Sequence, residues 1–321
     1  MRHLTGLAIA LALAMNPATT RAQDAWPSRL ITLIVPYGAG GYTDVVARIT
    51  AHYLQKELGK TVIAENRPGA GGIVGTQAVV NAAPDGYTLC ICSGGAITIA
   101  PFTQKVPYDP VKDLAPIGIV SSVPMVVVTR KDLPVTSLPE FVSYAKAHPG
   151  KLNYASNGAG GITHYAVELF LARTGATAVH IPFKGGAESI ASLFSGHADF
   201  AFSNLTDALP QIKAGTVRGL AVTSNERSSY LPDLPTVRKT VVPNFFAETW
   251  NGIMAPAKTP EPIVRKISEI LLRMADDPEV KQGMRTVGAD TVKTTPDQFR
   301  AMIQQEIAEW KPLSAEIEKK K

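Results

Sequence analysis

The sequence predicts an α/β protein of two domains, and three observations support this prediction. Strand-like and helix-like segments alternate along the chain, which is typical of a mostly parallel sheet covered by helices. Removal of the leader described below leaves about 300 residues, and chains of that size usually divide into two domains. A glycine-rich loop occurs twice, beginning at Gly38 and again 120 residues later at Gly158. Because each copy stands between a strand-like and a helix-like segment, two similar α/β units are expected.

The first portion of the chain has three strand-like and two helix-like segments. The predicted strands cover 31–35, 61–64 and 87–92, and the predicted helices cover 43–58 and 75–83. In the first helix, apolar residues recur at helical spacing, and a glycine follows the last turn. This portion alone contains a strand–helix–strand–helix–strand order.

The middle portion repeats this alternation, and two amphipathic helices close the chain. The middle strands are predicted over 125–129, 152–155, 179–182, 200–202 and 219–222. The helices between them are predicted over 137–147, 163–174, 187–194 and 206–214. A returning strand over 250–254 precedes closing helices over 262–274 and 296–310, each with a proline in its first turn.

The first 22 residues have the pattern of a secretory signal peptide. Arg2 and His3 precede an apolar run from Leu4 to Met15, and small residues follow up to Ala22. The run is shorter than the roughly 20 residues that a membrane-spanning helix needs. No cysteine stands near the expected cleavage site after Ala22, so a lipid anchor is not expected. The leader predicts export to the periplasm.

Charge and cysteine content narrow the class of protein further. The formal net charge is +5 and falls to +3 without the leader, which carries Arg2 and Arg21. Such a weak, dispersed charge does not predict binding to nucleic acid. Cys90 and Cys92 stand two residues apart in a strand-like run, where their Cα atoms would be near the upper limit of about 7 Å for a disulfide. We expect two buried thiols; a bridge between them is allowed but not favoured.

The repeated loop predicts an anion site built from backbone. The segments 38–43 and 158–163 agree at five of six positions. Glycines let a ligand approach the backbone, and the first N–H groups of a helix have no internal partner. The helix dipole adds about half a positive charge at that end. The candidate ligand contacts in the two copies are Ala39, Gly40, Gly41, Thr43, Gly158, Ala159, Gly160 and Thr163.

Three polar residues near these loops have alternative interpretations. His164 could donate to a carboxylate, or could have a packing or surface role. Asp44 complements the dipole of its helix and could hold the loop in shape. Lys184 could be a cation for the ligand, although a solvated loop charge is the simpler interpretation. A third glycine loop over 69–72 has Val74 where the repeat has threonine, and we interpret it as structural.

Motifs for other kinds of site are absent from the sequence. The pattern G-x-G-x-x-G fails at its last position in all three glycine loops, so a dinucleotide cofactor is not predicted. There is no P-loop and no G-x-S-x-G nucleophile motif. The six histidines have no metal-ligand spacing. No catalytic residue, cofactor or metal is therefore predicted.

Many separate motifs, in the same order, resemble one family over essentially the whole chain after the leader. The chain resembles the substrate-binding proteins of tripartite tricarboxylate transporters, the Bug-type periplasmic receptors. The matching segments are Trp26–Arg29, Val35–Tyr37, Gly40–Asp44, Glu65–Gly72, Pro84–Thr88, Pro149–Tyr154, His164, His180–Gly185, Leu220–Ser224 and Leu234–Val237.

The resemblance implies a type II periplasmic-binding-protein fold, with two α/β lobes that close on a ligand. It implies a first lobe of residues 23–124 and 246–321 and a second lobe of residues 125–245. It also implies ligand contacts from the loops Tyr37–Asp44 and Ser156–His164, and a cleft lined by Ser93, Gly94 and Asn204. Ser203 and Tyr42 depart from the usual residues of the family, which leaves the identity of the ligand open.

The expected function is that of a monomeric receptor, not an enzyme, which captures a small organic carboxylate and delivers it to the membrane components of such a transporter. Two alternatives remain at this point. A binding module that feeds a sensor kinase would have the same sequence features. An exported α/β enzyme would need a nucleophile–base pair or a metal, and the sequence indicates neither.

Overall fold

The computed structural model describes residues 26–318, which form two lobes of α/β structure. The leader predicted over residues 1–22 lies outside the described residues. The strands are β1 Ile31–Val35, β2 Val62–Asn66, β3 Thr88–Ser93, β4 Leu114–Arg130, β5 Asn153–Ser156, β6 Val179–Pro182, β7 Phe200–Asn204, β8 Val217–Val222, β9 Glu248–Pro256 and β10 Asp290–Thr291.

The helices alternate with these strands as predicted, with small differences at their ends. They are α1 Tyr42–Leu58, α2 Ile73–Val80, α3 Ala100–Thr103, α4 Leu138–Ala147, α5 Ile162–Thr174, α6 Gly186–Phe194, α7 Leu205–Lys213, α8 Val237–Thr240, α9 Glu261–Met274, α10 Pro278–Thr286 and α11 Pro296–Glu318. The short helices α3 and α8 and the helix α10 were not predicted from the sequence, and α11 extends eight residues beyond its predicted end.

A ten-stranded sheet runs through both lobes in the order β2-β1-β3-β9-β4-β7-β5-β6, with β8 and β10 also paired to β4. In the first lobe, β1 is parallel to β2 and β3, and β9 returns antiparallel to β3 and β4. In the second lobe, β5 is parallel to β6 and β7, and β7 and β8 are antiparallel to β4. The parallel strands of each lobe end where the glycine loops begin.

The 17-residue strand β4 joins the two lobes. Its residues up to Pro124 pair with β9, and its residues from Met125 onward pair with β7 and β8. The sequence predicted only 125–129 as strand, because Pro116 and Gly118 interrupt the apolar pattern before it. The register shift between these two residues is an irregularity that lets the strand continue past them.

Aromatic rings fill the core of the second lobe. Phe141, Phe170, Phe200, Phe202 and Phe245 are all buried. The ring of Phe245 meets those of Phe170 and Phe202 edge to face, at centroid distances of 6.2 Å and 5.9 Å. Such pairs stabilise a core beyond the area that they bury.

The closing helix α11 packs on both lobes. Phe299 and Ile303 pack against Trp250 of β9, whereas Trp310 and Ile317 pack into the aromatic core of the second lobe. The helix therefore connects the two lobes independently of β4. No helix among residues 26–318 combines the length and the apolar character that crossing a membrane requires.

The structure corrects the prediction for the two cysteines. Cys90 and Cys92 form a disulfide within β3, with a Cα–Cα distance of 5.2 Å. The prediction assumed an ideally extended strand, whose next-but-one Cα atoms are about 7 Å apart. The shorter distance places the pair inside the range that a disulfide spans. Both residues are buried, as expected.

We expect Phe245→Ala to lower the free energy of unfolding by about 3–5 kcal/mol, because it removes a buried ring from a packed aromatic core. The adjacent Phe246→Ala is the matched control: Phe246 is 46% exposed, and surface substitutions usually change stability by about 0.5 kcal/mol or less. Urea unfolding followed by circular dichroism measures both variants. Equal losses in the two variants would contradict the assignment of Phe245 to the core.

Candidate anion-binding cleft

The two glycine loops have the same backbone conformation at their last two glycines and open corresponding helices. Gly40 and Gly160 have φ angles of +80° and +81°, in the left-handed region that favours glycine. Gly41 and Gly161 are extended and directly precede the first residues of α1 and α5. The sequence repeat is therefore also a structural repeat, with one copy in each lobe.

Both loops line one cavity between the lobes. The cavity has a volume of about 20 Å³, which is room for about one water molecule. The structure therefore shows the cleft closed. The lining residues are Tyr37, Gly41, Tyr42, Thr43, Ser93, Asn157, Gly161, Ile162, Thr163, Gly186, Asn204 and Thr249. None of these described lining residues carries a charge.

Backbone donors from both helix starts face this cavity. Within residues 26–318, the N–H groups of Gly41, Thr43, Ile162 and Thr163 have no protein acceptor. They belong to the first turns of α1 and α5, where the helix geometry leaves N–H groups unpaired and the dipole favours negative charge. Two sets of unpaired donors that meet at one cavity can bind a carboxylate from both sides.

Side chains behind the first loop fix its shape. Asp44 accepts hydrogen bonds from the Gly40 N–H at 2.9 Å, the Asn66 amide at 2.9 Å and the Arg48 guanidinium at 2.9 Å. Burial alone would raise the pKa of Asp44, but these donors hold it below its ordinary value. Asp44 therefore stays ionised, and its charge is neutralised by Arg48 away from the cavity.

Side chains also fix the second loop. Ser156 Oγ accepts the Gly158 N–H at 3.2 Å, Thr163 Oγ1 accepts the Asn157 N–H at 3.0 Å, and His164 Nδ1 accepts the Gly160 N–H at 3.2 Å. His180 Nε2 is 2.6 Å from Ser156 Oγ, and its ring stacks on that of His164 at 4.0 Å. Two of these bonds occupy the amides of Gly158 and Gly160, which were predicted as ligand contacts.

Two tyrosines form part of the cavity wall. The Tyr37 hydroxyl donates to the Gly71 carbonyl at 2.9 Å, and burial raises the pKa of Tyr37 to about 12. The Tyr42 hydroxyl donates to Ser121 Oγ at 3.1 Å, and burial raises its pKa also. Both rings are therefore held in place as neutral hydrogen-bonding groups.

The predicted site residues fall into two groups. Tyr37, Gly41, Thr43, Ser93, Thr163 and Asn204 line the cavity. The other predicted site residues do not line it. They are Ala39, Gly40, Asp44, Gly94, Ser156, Gly158, Ala159, Gly160, His164 and Lys184, of which Ala39 and Ala159 are exposed. Lys184 contributes its carbonyl, which accepts the Gly38 N–H across the cleft at 2.9 Å, while its side chain is exposed. Whether the second group touches a ligand stays a prediction.

Sequence reasoning missed several residues of the cleft. Gly186 at the start of α6 and Thr249 in β9 line the cavity, and the Thr249 hydroxyl donates to Asn204 Oδ1 at 2.7 Å. Asp207 in α7 accepts the Tyr42 N–H at 2.8 Å from the opposite lobe. The third glycine loop also reaches the cleft, because a Cβ atom on Gly71 would lie 2.5 Å from the Ala159 carbonyl oxygen. No local motif marks Thr249 or Asp207 as cleft residues, since distant segments bring them to the cleft.

A metal site is not found in the described part of the chain, where no three His, Cys, Asp or Glu side chains cluster suitably for an ion. The described lining of the cleft supplies hydrogen-bond donors, two helix starts and neutral side chains.

Comparison with known proteins gives a consistent result. The model of the TctC family, the tripartite tricarboxylate transporter family receptor, matches residues 46–319. The protein BugT of Bordetella pertussis is 37% identical over 314 residues, which cover 96% of this chain and 95% of BugT.

Solved structures of binding proteins superpose closely. The periplasmic binding protein BugD is 34% identical with a TM-score of 0.87, covering 91% of this chain and 98% of its own. MatC from Rhodopseudomonas palustris, with bound malate, is 32% identical with a TM-score of 0.87, covering 90% of this chain and 100% of its own. Rpa4515 of R. palustris, with adipate, is 31% identical with a TM-score of 0.87, covering 91% and 98%. The chain therefore belongs to the TctC family of tripartite tricarboxylate transporter receptors, a family of periplasmic solute-binding proteins.

Proposed function

We propose that this protein captures a small organic carboxylate between its lobes and delivers it to the membrane components of a tripartite tricarboxylate transporter. The main observation in support is the pair of helix starts whose unpaired N–H groups line one cavity. Two relatives of similar fold hold adipate and malate, which supports a carboxylate as the class of ligand.

The proposed mechanism is closure of the lobes around the ligand. Each lobe supplies one glycine loop, so a carboxylate bonds to both loops only when the lobes approach. The ligand therefore stabilises the closed state relative to the open one. Thr43 and Thr163 place hydroxyl groups at the two helix starts, where they can add hydrogen bonds. Because the closed cavity is small, entry of a ligand requires the lobes to separate first.

The division into lobes, the export of the protein and its monomeric state are part of the same proposal. We assign residues 23–124 and 246–321 to the first lobe and residues 125–245 to the second. The change of β4 partners after Pro124 supports this division. We further propose export with cleavage after Ala22, and a monomer as the functional unit. A module that passes its signal to a sensor kinase would use the same cleft, and capture of the membrane partner distinguishes it.

One contact bears on the alternative of an exported enzyme. Ser156 Oγ lies 2.6 Å from His180 Nε2, a distance suited to a nucleophile and its base. However, Ser156 is completely buried and also accepts the Gly158 N–H. It is not among the residues that line the cavity. The contact is better explained as support for the second loop, and we propose a receptor without catalytic activity.

A panel of dicarboxylates, aromatic acids and amino acids, tested by thermal shift, should identify stabilising ligands. A ligand at 100 times its Kd should add about 2.7 kcal/mol to the free energy of unfolding. Mass spectrometry of the recovered ligand should find it chemically unchanged, as expected for a receptor. If no anion of the panel stabilises the protein, the proposal of a carboxylate receptor is wrong.

Closure can be tested separately with a glycine that the lobes approach. Gly95 lies in the helical turn Gly95–Ile99, and a Cβ atom on it would be 2.8 Å from the Ile162 nitrogen of the other lobe. Overpacking typically costs about 1–3 kcal/mol, so Gly95→Ala should weaken ligand binding about 5- to 150-fold. The open form has no such contact, so the variant should still fold.

The matched control is Gly283→Ala, a helical glycine whose added Cβ atom would have its nearest neighbour at 3.9 Å. Isothermal titration with a ligand from the panel measures both variants. Unchanged affinity in Gly95→Ala would contradict a close approach of the lobes at Gly95 in the ligand-bound state.

A further inference from the structure

The second lobe places a carboxyl group of its own against the first glycine loop. Asp207 Oδ1 accepts the N–H of Tyr42, the first residue of α1, at 2.8 Å. Asp207 is only 8% exposed, and its Oδ2 makes no hydrogen bond within the described residues. A carboxyl group of the protein therefore occupies one donor of the helix start to which we assign the ligand.

Two glycines next to this carboxyl group leave room for it, because they have no Cβ atom. A Cβ atom on Gly186 would lie 1.9 Å from Asp207 Oδ2, so any larger residue at that position would displace the carboxyl group. A Cβ atom on Gly41 would lie 3.5 Å from Asp207 Oδ1. The contact between Asp207 and α1 thus depends on close approach of three segments from two lobes, so separation of the lobes would break it.

Among residues 26–318, no positive side chain compensates the charge of Asp207 in this position. Burial raises its pKa to about 7, against the smaller opposing effects of the Tyr42 N–H and the Asn204 side chain. Ionisable residues on the elements packed around Asp207 make their contacts with other partners. Glu188 of α6 accepts the Lys184 N–H, Arg130 of β4 pairs with Asp199, Arg218 of β8 donates to the Leu133 carbonyl, Asp44 of α1 binds Arg48, and Tyr42 donates to Ser121.

We propose that closure of the cleft takes up a proton at Asp207, so that capture of an anionic ligand is coupled to protonation of this residue. The first part of the proposal concerns the protein alone, and the second part rests on the proposed function. In the open form, Asp207 would face water and remain ionised at neutral pH. In the closed form, its charge is buried next to the cavity for a second anion. A proton removes both the desolvation cost and the repulsion between the two carboxylates.

The direction of the pH dependence follows from this difference between the two forms. Because the pKa of Asp207 is higher in the closed form, acid favours closure. The closed-to-open ratio should fall about tenfold per pH unit between pH 5 and pH 7, and should level off above about pH 8. Glu248 of β9, whose pKa burial also raises, would add a pH dependence of its own, which variants of Asp207 would retain.

Small-angle scattering of the ligand-free protein at pH 5.5 and pH 8.5 tests the first part. The wild type should be more compact at pH 5.5. Asp207→Asn keeps an acceptor oxygen for the Tyr42 N–H but cannot ionise, so its radius of gyration should change less between the two pH values than that of the wild type, by the change that Glu248 alone causes. Asp207→Ser provides a second neutral variant with the same expectation. The proposal is overturned if the wild type has one radius at both pH values, or if both variants expand like the wild type.

Malate serves as the probe for the second part, in titration calorimetry at pH 6 in two buffers of different ionisation enthalpy. The wild type should take up close to one proton per malate bound, and Asp207→Asn close to none. Equal proton uptake by the two proteins would overturn the coupling to the ligand. If neither protein binds malate or any other carboxylate, the proposed function fails, whereas the scattering result still decides the role of Asp207.

Discussion

The proposed binding of a carboxylate depends on one physical feature, the unpaired backbone N–H groups at the starts of α1 and α5 that line the same cavity. Their direction is set by the helices, so little conformational entropy is lost when they bind, unlike the long side chains of lysine or arginine. Asp44, a charged residue behind the first loop, is neutralised by Arg48 and holds Gly40 in place. The charged side chains therefore hold the loop in its conformation, whereas the backbone N–H donors themselves carry no formal charge. Such a site recognises the number and direction of acceptor atoms in an anion.

Backbone donors require close approach, and glycines in three segments of the first lobe make it possible. Gly41, Gly71 and Gly95 each come so near the second lobe that a Cβ atom would contact its backbone at 3.2 Å, 2.5 Å or 2.8 Å. The lobes therefore meet backbone to backbone on each side of the cavity. The same glycines keep the loops free of side chains that could fill the cleft. This explains why the third glycine loop, which lacks the threonine of the repeat, also lies beside the cleft.

The sequence predicted the parts of this arrangement that are local. The repeat at 38–43 and 158–163 predicted two helix starts of equal conformation, and apolar patterning predicted most strands. It could not predict Asp207, because 165 residues separate it from Tyr42 and only the packing of α7 against the first lobe joins them. Gly186 and Thr249 were missed for the same reason, because only the tertiary structure brings them to the cleft. The bridge between Cys90 and Cys92 depends on a local shortening of β3, which no residue type in that segment indicates.

The burial of Asp207 adds a free-energy cost to closure of the lobes, and protonation of Asp207 removes that cost. Closure without a ligand would leave the N–H groups of Gly41 and Thr163 without hydrogen-bond acceptors. It would also bury the ionised carboxyl group of Asp207. A bound carboxylate supplies the missing acceptors, but it also brings a second negative charge close to Asp207. The closed state is then most stable when the ligand contributes the acceptors and a proton neutralises Asp207. Closure would thereby report two conditions together, the presence of the anion and the availability of a proton, through one hydrogen bond between the lobes.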